Sequence, residues 1–331
     1  MRRTDMAKLY YEKDADFQAL KGRTVAVVGY GIQGRAQALN LHDSGADVVV
    51  GVRPKGESWT AATKDGLDVA RVPDAVGSAD VVMMLIPDEV QPEVYARDVA
   101  PHLKKGAALD FAHGFNIRFG TIVPPKHVDV IMVAPKAPGA AVRENFLRGS
   151  GVPALLAIHQ DATGRARSIG LAIAKGLGST KVGVIETTFT EETETDLFGE
   201  QADLCGGVAE MIKASFDVLV HAGYQPELAY FEVLHELKMI VDLIQAGGIE
   251  HMWASVSNTA EFGGRTRGPN VMDAQVKRSM EVLLKDIKSG AFAKDWVEEY
   301  KKGMPTLAKA RKDAPESLIE RVGRDVRRMF T

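Results

Sequence analysis

Short apolar, β-branched runs recur through the first half of the chain, with stretches of helical period between them. Thr24-Val25-Ala26-Val27-Val28 leads into a helical stretch from Arg35 to about Ser44, and Asp47-Val48-Val49-Val50-Gly51-Val52 follows it. Asp80 to Pro87 and Ala107 to Phe111 read as a third and a fourth strand, with Val128 to Val133, Ala154 to Ile158 and Val182 to Ile185 beyond. Continuous apolar runs of this length mark strands buried on both faces, and their alternation with helices predicts parallel βαβ units. The pattern predicts a Rossmann-type doubly wound α/β domain over residues 1–186, with ligands at the carboxyl ends of its strands.

From about Thr187 the strand signals stop. Helical pattern fills Ala202–His221, Pro226–Gln245 and Gly248–Glu261, then Val271–Ser289, Ala291–Lys301 and Pro315–Phe330. Pro226 and Pro315 suit helix starts, while Gly247-Gly248 and Gly263-Gly264 suit helix ends. Residues 187–331 are therefore expected to form an all-helical domain. The stretch from Tyr230 to Ile244 is apolar almost all round, which predicts a buried helix.

Composition narrows the classes. A length of 331 residues favours two domains, and 45% hydrophobic with 26% charged residues is ordinary for a globular protein. The net charge of −3, from 41 basic against 44 acidic residues, gives no reason to expect nucleic acid or an anionic membrane as partner. A single cysteine, Cys205, excludes an internal disulfide framework and fits a reducing compartment. Met1 to Asp16 is charged and lacks the apolar core of a secretory signal. No stretch approaches the roughly 20 apolar residues that span a bilayer. A cytoplasmic location is expected.

Candidate chemistry begins at Gly29-Tyr30-Gly31-Ile32-Gln33-Gly34, set between a strand and a helix. Glycines there permit a tight turn, and the helix N-terminus offers N–H groups and a positive dipole to a pyrophosphate. The next strand ends in Arg53-Pro54-Lys55-Gly56-Glu57-Ser58 rather than in the acidic residue usual for NAD. Arg53 and Lys55 suit a 2′-phosphate and Ser58 can donate to it, so NADP(H) is favoured; Glu57 argues the other way. The segments Asp88 to Gln91, His113-Gly114 and Ala134 to Gly139 are expected to line the same crevice. Taken alone, His113 reads as a structural histidine.

The second half carries acidic residues at helical spacing. Asp196 with Glu200, and Glu232 with Glu236, are each four apart and so share a helix face. Spacing does not choose within the first cluster, because Glu192 and Asp196 are also four apart. One such pair alone reads as a solvated face. Two pairs on apolar helices point to a four-carboxylate cage for a hard divalent cation such as Mg²⁺.

Tyr10-Tyr11-Glu12-Lys13-Asp14, the glycine motif, Ala112-His113-Gly114-Phe115, Ala134-Pro135-Lys136-Ala137-Pro138-Gly139, Glu191 to Gln201, Ala229-Tyr230-Phe231-Glu232 and Glu236-Leu237-Lys238 span nearly the whole chain. Together they resemble the shorter class (class I) of ketol-acid reductoisomerases, or acetohydroxyacid isomeroreductases, of branched-chain amino-acid synthesis. The resemblance implies two Mg²⁺ ions held by Asp196 and Glu200, with Glu232 and Glu236 completing the cage from a partner subunit. It places His113, Lys136 and Glu232 in catalysis and Ser257 against substrate. For the nucleotide it points to Tyr30, Gly31, Ile32, Gln33, Arg53, Ser58, Asp88, Glu89, Val90, Gln91 and Gly139. It also implies a knotted helical domain and a homodimer at minimum, some members forming dodecamers. Glu57 stands where a second serine is common in the NADP-using loop, which leaves NADH use open.

The implied substrate is a small 2-hydroxy-3-keto acid, 2-acetolactate or its ethyl homologue. An alkyl migration followed by NAD(P)H reduction gives the 2,3-dihydroxy-3-alkyl acid on the way to valine and isoleucine. A cage of four acids predicts Mg²⁺-dependent assembly and stability. Two rivals remain. One is a metal-independent NADP-dependent β-hydroxyacid or imine dehydrogenase, recognisable by turnover without metal; the other is a non-catalytic NADP sensor, in which Glu232→Gln is silent.

Overall fold

The run Thr24–Val28 forms the strand from which the first unit is built outward. The structure is a computed structural model that describes residues 7–329. Its strands in chain order are β1 (Leu9–Tyr10), β2 (Thr24–Val28), β3 (Asp47–Gly51), β4 (Asp68–Ala70), β5 (Val81–Met84), β6 (Ala108–Phe111), β7 (Asp129–Pro135), β8 (Ala154–Gln160) and β9 (Val184–Thr187). They form one sheet in the order β1-β9-β8-β7-β6-β5-β2-β3-β4. From β4 through β7 all neighbours are parallel, and strand order reverses between β2 and β5, where doubly wound sheets bind ligands. Period two divides the central strands between two cores. Val25, Val27, Val81 and Met83 pack on one face; Ala26, Val28, Val82, Met84, Leu109 and Phe111 pack on the other.

Two pairings depart from the parallel expectation. Strand β8 runs antiparallel to β7, and β1 antiparallel to β9. The Lys136 N–H donates to the Pro153 carbonyl at 2.8 Å, so the excursion through helix Gly139–Leu147 leaves and re-enters at one end of the sheet. The chain must then run back the other way. Strands β1 and β4, two and three residues long, are too short to show a period in sequence. Helix α1 (Ile32–Asp43) starts inside the glycine motif rather than at Arg35, and α2 (Glu57–Lys64) follows β3.

By its internal contacts the chain divides into two compact units, Met1–Thr193 and Glu194–Thr331, within helix Phe189–Gly199. The second unit carries helices Gly206–His221, Pro226–Tyr230, Leu237–Gly247, Ile249–Ala254, Asn258–Val271, Ala274–Ser289, Ala291–Lys301, Pro305–Asp313 and Leu318–Arg328. Its core joins Phe216, Ala229 and Tyr230 to Ile319, Val322 and Val326 of the last helix. Those three positions fall on one helical face, and Gly323 admits the Tyr230 ring, from which an added Cβ would lie 2.6 Å. Phe330, the expected end of this helix, lies outside the described residues.

Several helical expectations are corrected. Gly248–Glu261 is two helices separated at Ser255–Ser257, and the Ser257 hydroxyl caps the second by accepting from the Ala260 N–H at 3.2 Å. Gly263 and Gly264 sit inside that second helix. A Cβ on Gly264 would lie 2.3 Å from the Trp253 ring, so close packing explains this glycine, not a helix end. Pro315 belongs to a short 3₁₀ turn, and the last helix begins after Ser317. The helix Pro305–Asp313 was not expected from the pattern.

The apolar stretch around Glu232 and Glu236 is not buried within the chain. Helix Leu237–Gly247 has no buried residue, Met239 and Val241 are 54% and 49% exposed, and both glutamates are exposed. The small core takes in Tyr230, while in the helix after it Leu237, Ile240, Leu243 and Ile244 are only half-buried. Among the described residues no helix is long and apolar enough to cross a membrane.

Candidate active site

The glycine turn after β2 has the shape its spacing requires. Gly29 has φ +101°, and a Cβ there would meet Ile86 Cγ2 at 2.6 Å and the Leu85 carbonyl oxygen at 2.7 Å. On Gly34 it would meet the Gly29 carbonyl at 2.4 Å, whereas on Gly31, the N-cap of α1, it would meet nothing within 4 Å. Two glycines are therefore demanded by close packing, and the third leaves open space before the helix N-terminus. That cradle fits the pyrophosphate of a dinucleotide. Tyr30 turns its ring into the core, and Ile32 is 79% exposed. The Gln33 amide donates to the Ala137 carbonyl at 2.9 Å, and a Cβ on Gly139 would lie 2.1 Å from the Ile32 carbonyl, so the segment after β7 closes on this turn.

Beyond β3, Arg53 and Lys55 are exposed and Ser58 is half-buried in the first turn of α2. Lys55 takes a left-handed φ of 60°, and the Gly56 N–H closes the turn onto the Arg53 carbonyl at 3.3 Å. After β5, Glu89 and Val90 are half-buried, while Gln91 is buried and donates to the Ile86 carbonyl at 2.9 Å and to Asp88 Oδ1 at 3.2 Å. Buried Asn116 donates to the Asp88 carbonyl and to Gln91 Oε1, both at 3.0 Å. Gln91 thus frames its loop from inside. Asn116 went unnoticed in sequence, although it lies just past Ala112-His113-Gly114-Phe115.

The residues after β6 and β7 converge on Glu192. Its carboxylate accepts from the Gly114 N–H at 3.0 Å and the Lys136 ammonium at 3.0 Å, and lies 3.1 Å from His113 Nδ1. Glu192 is 1% exposed, in the first turn of helix Phe189–Gly199. Gly114 permits the approach: a Cβ there would meet Thr193 Oγ1 at 2.4 Å and the Phe189 carbonyl at 2.9 Å. Burial pushes the Glu192 carboxyl up, but the His113 hydrogen bond and charge, the Lys136 charge and the Gly114 N–H together hold it below the usual range. His113 is not an isolated structural histidine. Sequence spacing left Glu192 only as an alternative partner of Asp196; its depth could not be read from spacing.

Asp196 lies one turn beyond Glu192 on the same helix and is half-buried; Glu200, a further turn on, is exposed. There the helix widens into a π turn, the Cys205 N–H bonding to the Glu200 carbonyl five residues back at 3.1 Å. The second acidic pair repeats the device. A π turn spans Phe231–His235, closed by the Glu236 N–H on the Phe231 carbonyl at 3.1 Å, with Glu232 inside it. Such insertions gather at functional sites because they re-aim side chains. An all-oxygen set of carboxylates suits a hard cation such as Mg²⁺. Among the described residues of one chain, however, no group of three or more ligand side chains within 4.8 Å of one another includes Glu200, Glu232 or Glu236. Ser257 is an exposed helix cap.

A glycine cradle at the strand-order reversal places the first unit among the dinucleotide-binding α/β folds, here joined to a helical unit bearing carboxylates. Residues 19–183 match the family model "Acetohydroxy acid isomeroreductase, NADPH-binding domain", and residues 189–331 match "Ketol-acid reductoisomerase, C-terminal domain". The chain belongs to the ketol-acid reductoisomerase family. It is 58% identical to "Ketol-acid reductoisomerase (NADP(+))" of Pyrobaculum neutrophilum, over 98% of this chain and 99% of that one. The protein of the same name from Methanocaldococcus jannaschii is 54% identical over 98% of each chain. The solved structure of an NADH-preferring ketol-acid reductoisomerase from an uncultured archean superposes with a TM-score of 0.95 at 48% identity, covering 98% of this chain and 99% of that one.

Proposed function

We propose that the chain is a ketol-acid reductoisomerase acting on 2-acetolactate and its ethyl homologue in valine and isoleucine synthesis, in the cytoplasm. The hydroxyl of the substrate loses its proton, the alkyl group moves with its bonding pair to the neighbouring carbonyl carbon, and that carbonyl's oxygen takes up a proton. The new ketone then takes a hydride and a second proton, giving the 2,3-dihydroxy-3-alkyl acid. When bound, NADPH (or NADH) supplies the hydride and two Mg²⁺ ions polarise the substrate oxygens as Lewis acids.

The remaining work falls to the chain. Gly31, the α1 N-terminus and the Arg53–Ser58 loop hold the nucleotide. Asp196 and Glu200 are the metal ligands of one copy, completed by Glu232 and Glu236 of a second. Glu192 fixes the orientation of His113 and Lys136, which move or hold protons at the substrate oxygens, and Ser257 touches substrate. The exposed Met239 and Val241 beside Glu236 support a homodimer, since such a face needs an opposing one. Further assembly to a dodecamer and a knot in the helical unit belong to the same reading.

The observation that carries it is Glu192 held by His113, Lys136 and the Gly114 N–H at the start of the helix that continues to Asp196 and Glu200. The assay follows NADPH and NADH oxidation with 2-acetolactate, with and without Mg²⁺. Oxidation only with Mg²⁺ is expected; no oxidation of either nucleotide would overturn the assignment.

A further inference from the structure

Asp65 ties together the two segments that meet the nucleotide. It is the C-cap of α2, where its own backbone N–H bonds to the Ala61 carbonyl at 2.9 Å and the following Gly66 N–H bonds to the Thr63 carbonyl at 3.1 Å. The Tyr30 hydroxyl donates to Asp65 Oδ2 at 2.8 Å, Arg35 Nε donates to the same oxygen at 2.7 Å, and Arg35 Nη2 donates to Oδ1 at 3.0 Å. Tyr30 belongs to the glycine turn and is 5% exposed, packed in one apolar cluster with Val52, Ala62 and Leu67. Arg35 stands in the first turn of α1. One carboxylate thus joins the pyrophosphate turn to the end of α2.

The other end of α2 is the loop Arg53–Ser58. A helix of eight residues is about 12 Å long, and two turns of helix move as a rod. At the loop, Lys55 is held in a left-handed conformation that a lysine adopts only where its surroundings impose it. Fixing the far end of α2 fixes where that turn stands relative to Gly29–Gly34. The charges agree with a lasting latch. The Arg35 hydrogen bonds hold the Asp65 carboxyl below the usual range against its burial, while burial and Asp65 push the Tyr30 hydroxyl well above its ordinary value, keeping it a donor.

We propose that Asp65 is a positioning residue for nucleotide selection, holding α2 so that Arg53, Lys55 and Ser58 stand at the distance from the glycine turn that a 2′-phosphate requires. NADH lacks that phosphate and makes little use of the loop. This proposal rests on the dinucleotide reading above. It assigns Arg35 to the latch and not to the phosphates.

The test is direct binding, without turnover. Kd values for NADPH and NADH are measured by calorimetry on wild type, Asp65→Asn, Asp65→Glu and Arg35→Gln, with melting temperatures alongside. Asp65→Asn is expected to weaken NADPH about tenfold and NADH by about twofold or less, with Asp65→Glu recovering most of the difference. Arg35→Gln removes two of the three bonds and carries the same expectation should Asp65→Asn fail to fold. An equal loss for both nucleotides, or an unchanged ratio with a lowered melting temperature, would reduce Asp65 to a structural role. Tighter NADPH binding with a steeper salt dependence in Asp65→Asn would assign Arg35 to the phosphates instead. A wild type that binds neither nucleotide would overturn the dinucleotide reading as well.

Discussion

Glu192 and Lys136 meet at 3.0 Å, a buried carboxylate and a one-third-exposed ammonium brought together from the first turn of a helix and the segment after β7. With His113 and the Gly114 N–H on the same carboxylate, the two side chains proposed to handle protons have fixed orientations before any substrate arrives. Glu192→Gln keeps the size and the Gly114 bond but removes the charge. The expected result is a fall in kcat of about 10²-fold, with a modest rise in KM for 2-acetolactate. Breaking a buried charge cluster from one side also costs about 3 kcal/mol, read as a lower melting temperature. Because the Glu192 carboxyl titrates below its usual range, that stabilisation is complete above the unfolded-state pKa and is lost as pH falls through the folded one.

Asp110 behaves in the opposite sense. It is fully buried in β6, accepts from the Val133 N–H at 3.1 Å through Oδ1, and its Oδ2 has no hydrogen-bond partner among the described residues. Burial pushes its carboxyl well above the ordinary value, two backbone N–H groups opposing. Above pH 3.8 the unfolded chain ionises Asp110 while the folded one holds it neutral, so this group subtracts stability as pH rises. Asp110→Asn should gain on wild type steadily from about pH 4 upward and match it near pH 3, read by denaturant melts across pH. A difference independent of pH would contradict the sign.

Gly139 tests the contact between the glycine turn and the segment after β7. A Cβ there would lie 2.1 Å from the Ile32 carbonyl, and backbone cannot yield as a side-chain tip does. Gly139→Ala should weaken NADPH binding by about tenfold or more, with a melting temperature several degrees lower. Unchanged affinity would show that the two segments move independently.

The exposed face of Leu237–Gly247 tests the second copy. Val241→Asp places a charge on an apolar surface that is exposed among the described residues. Gel filtration and light scattering should show monomers, and on the proposed sharing of Glu232 and Glu236 between copies activity should vanish with them. A fully active monomer would refute the shared cage.

What the sequence revealed and what it hid follow physical lines. The runs around Val27, Val50 and Met83 announced strands because a strand buried on both faces needs an unbroken apolar run. The glycine motif showed through because Gly29 and Gly34 are sterically compelled. Direction was less legible: nothing in Ala154–Gln160 says that it runs antiparallel, since the Lys136–Pro153 closure that turns it is a backbone event. Gly264 misled because a glycine admitting a tryptophan ring looks, in one dimension, like one ending a helix. The acidic spacing was read on an ideal helix, whereas Glu200 and Glu232 both lie in π turns, which leave no mark on a 3.6 period. Glu192 was hidden among the acidic residues around it, because depth below the surface has no periodicity of its own.

The most direct measurement is a manganese anomalous difference map from crystals of the full chain grown with Mn²⁺ in place of Mg²⁺. Peaks are expected between Asp196 and Glu200 of one copy and Glu232 and Glu236 of another, each metal–oxygen distance about 2.1 Å. Peaks elsewhere, or these four carboxylates turned to bulk solvent with no metal among them, would contradict the shared cage.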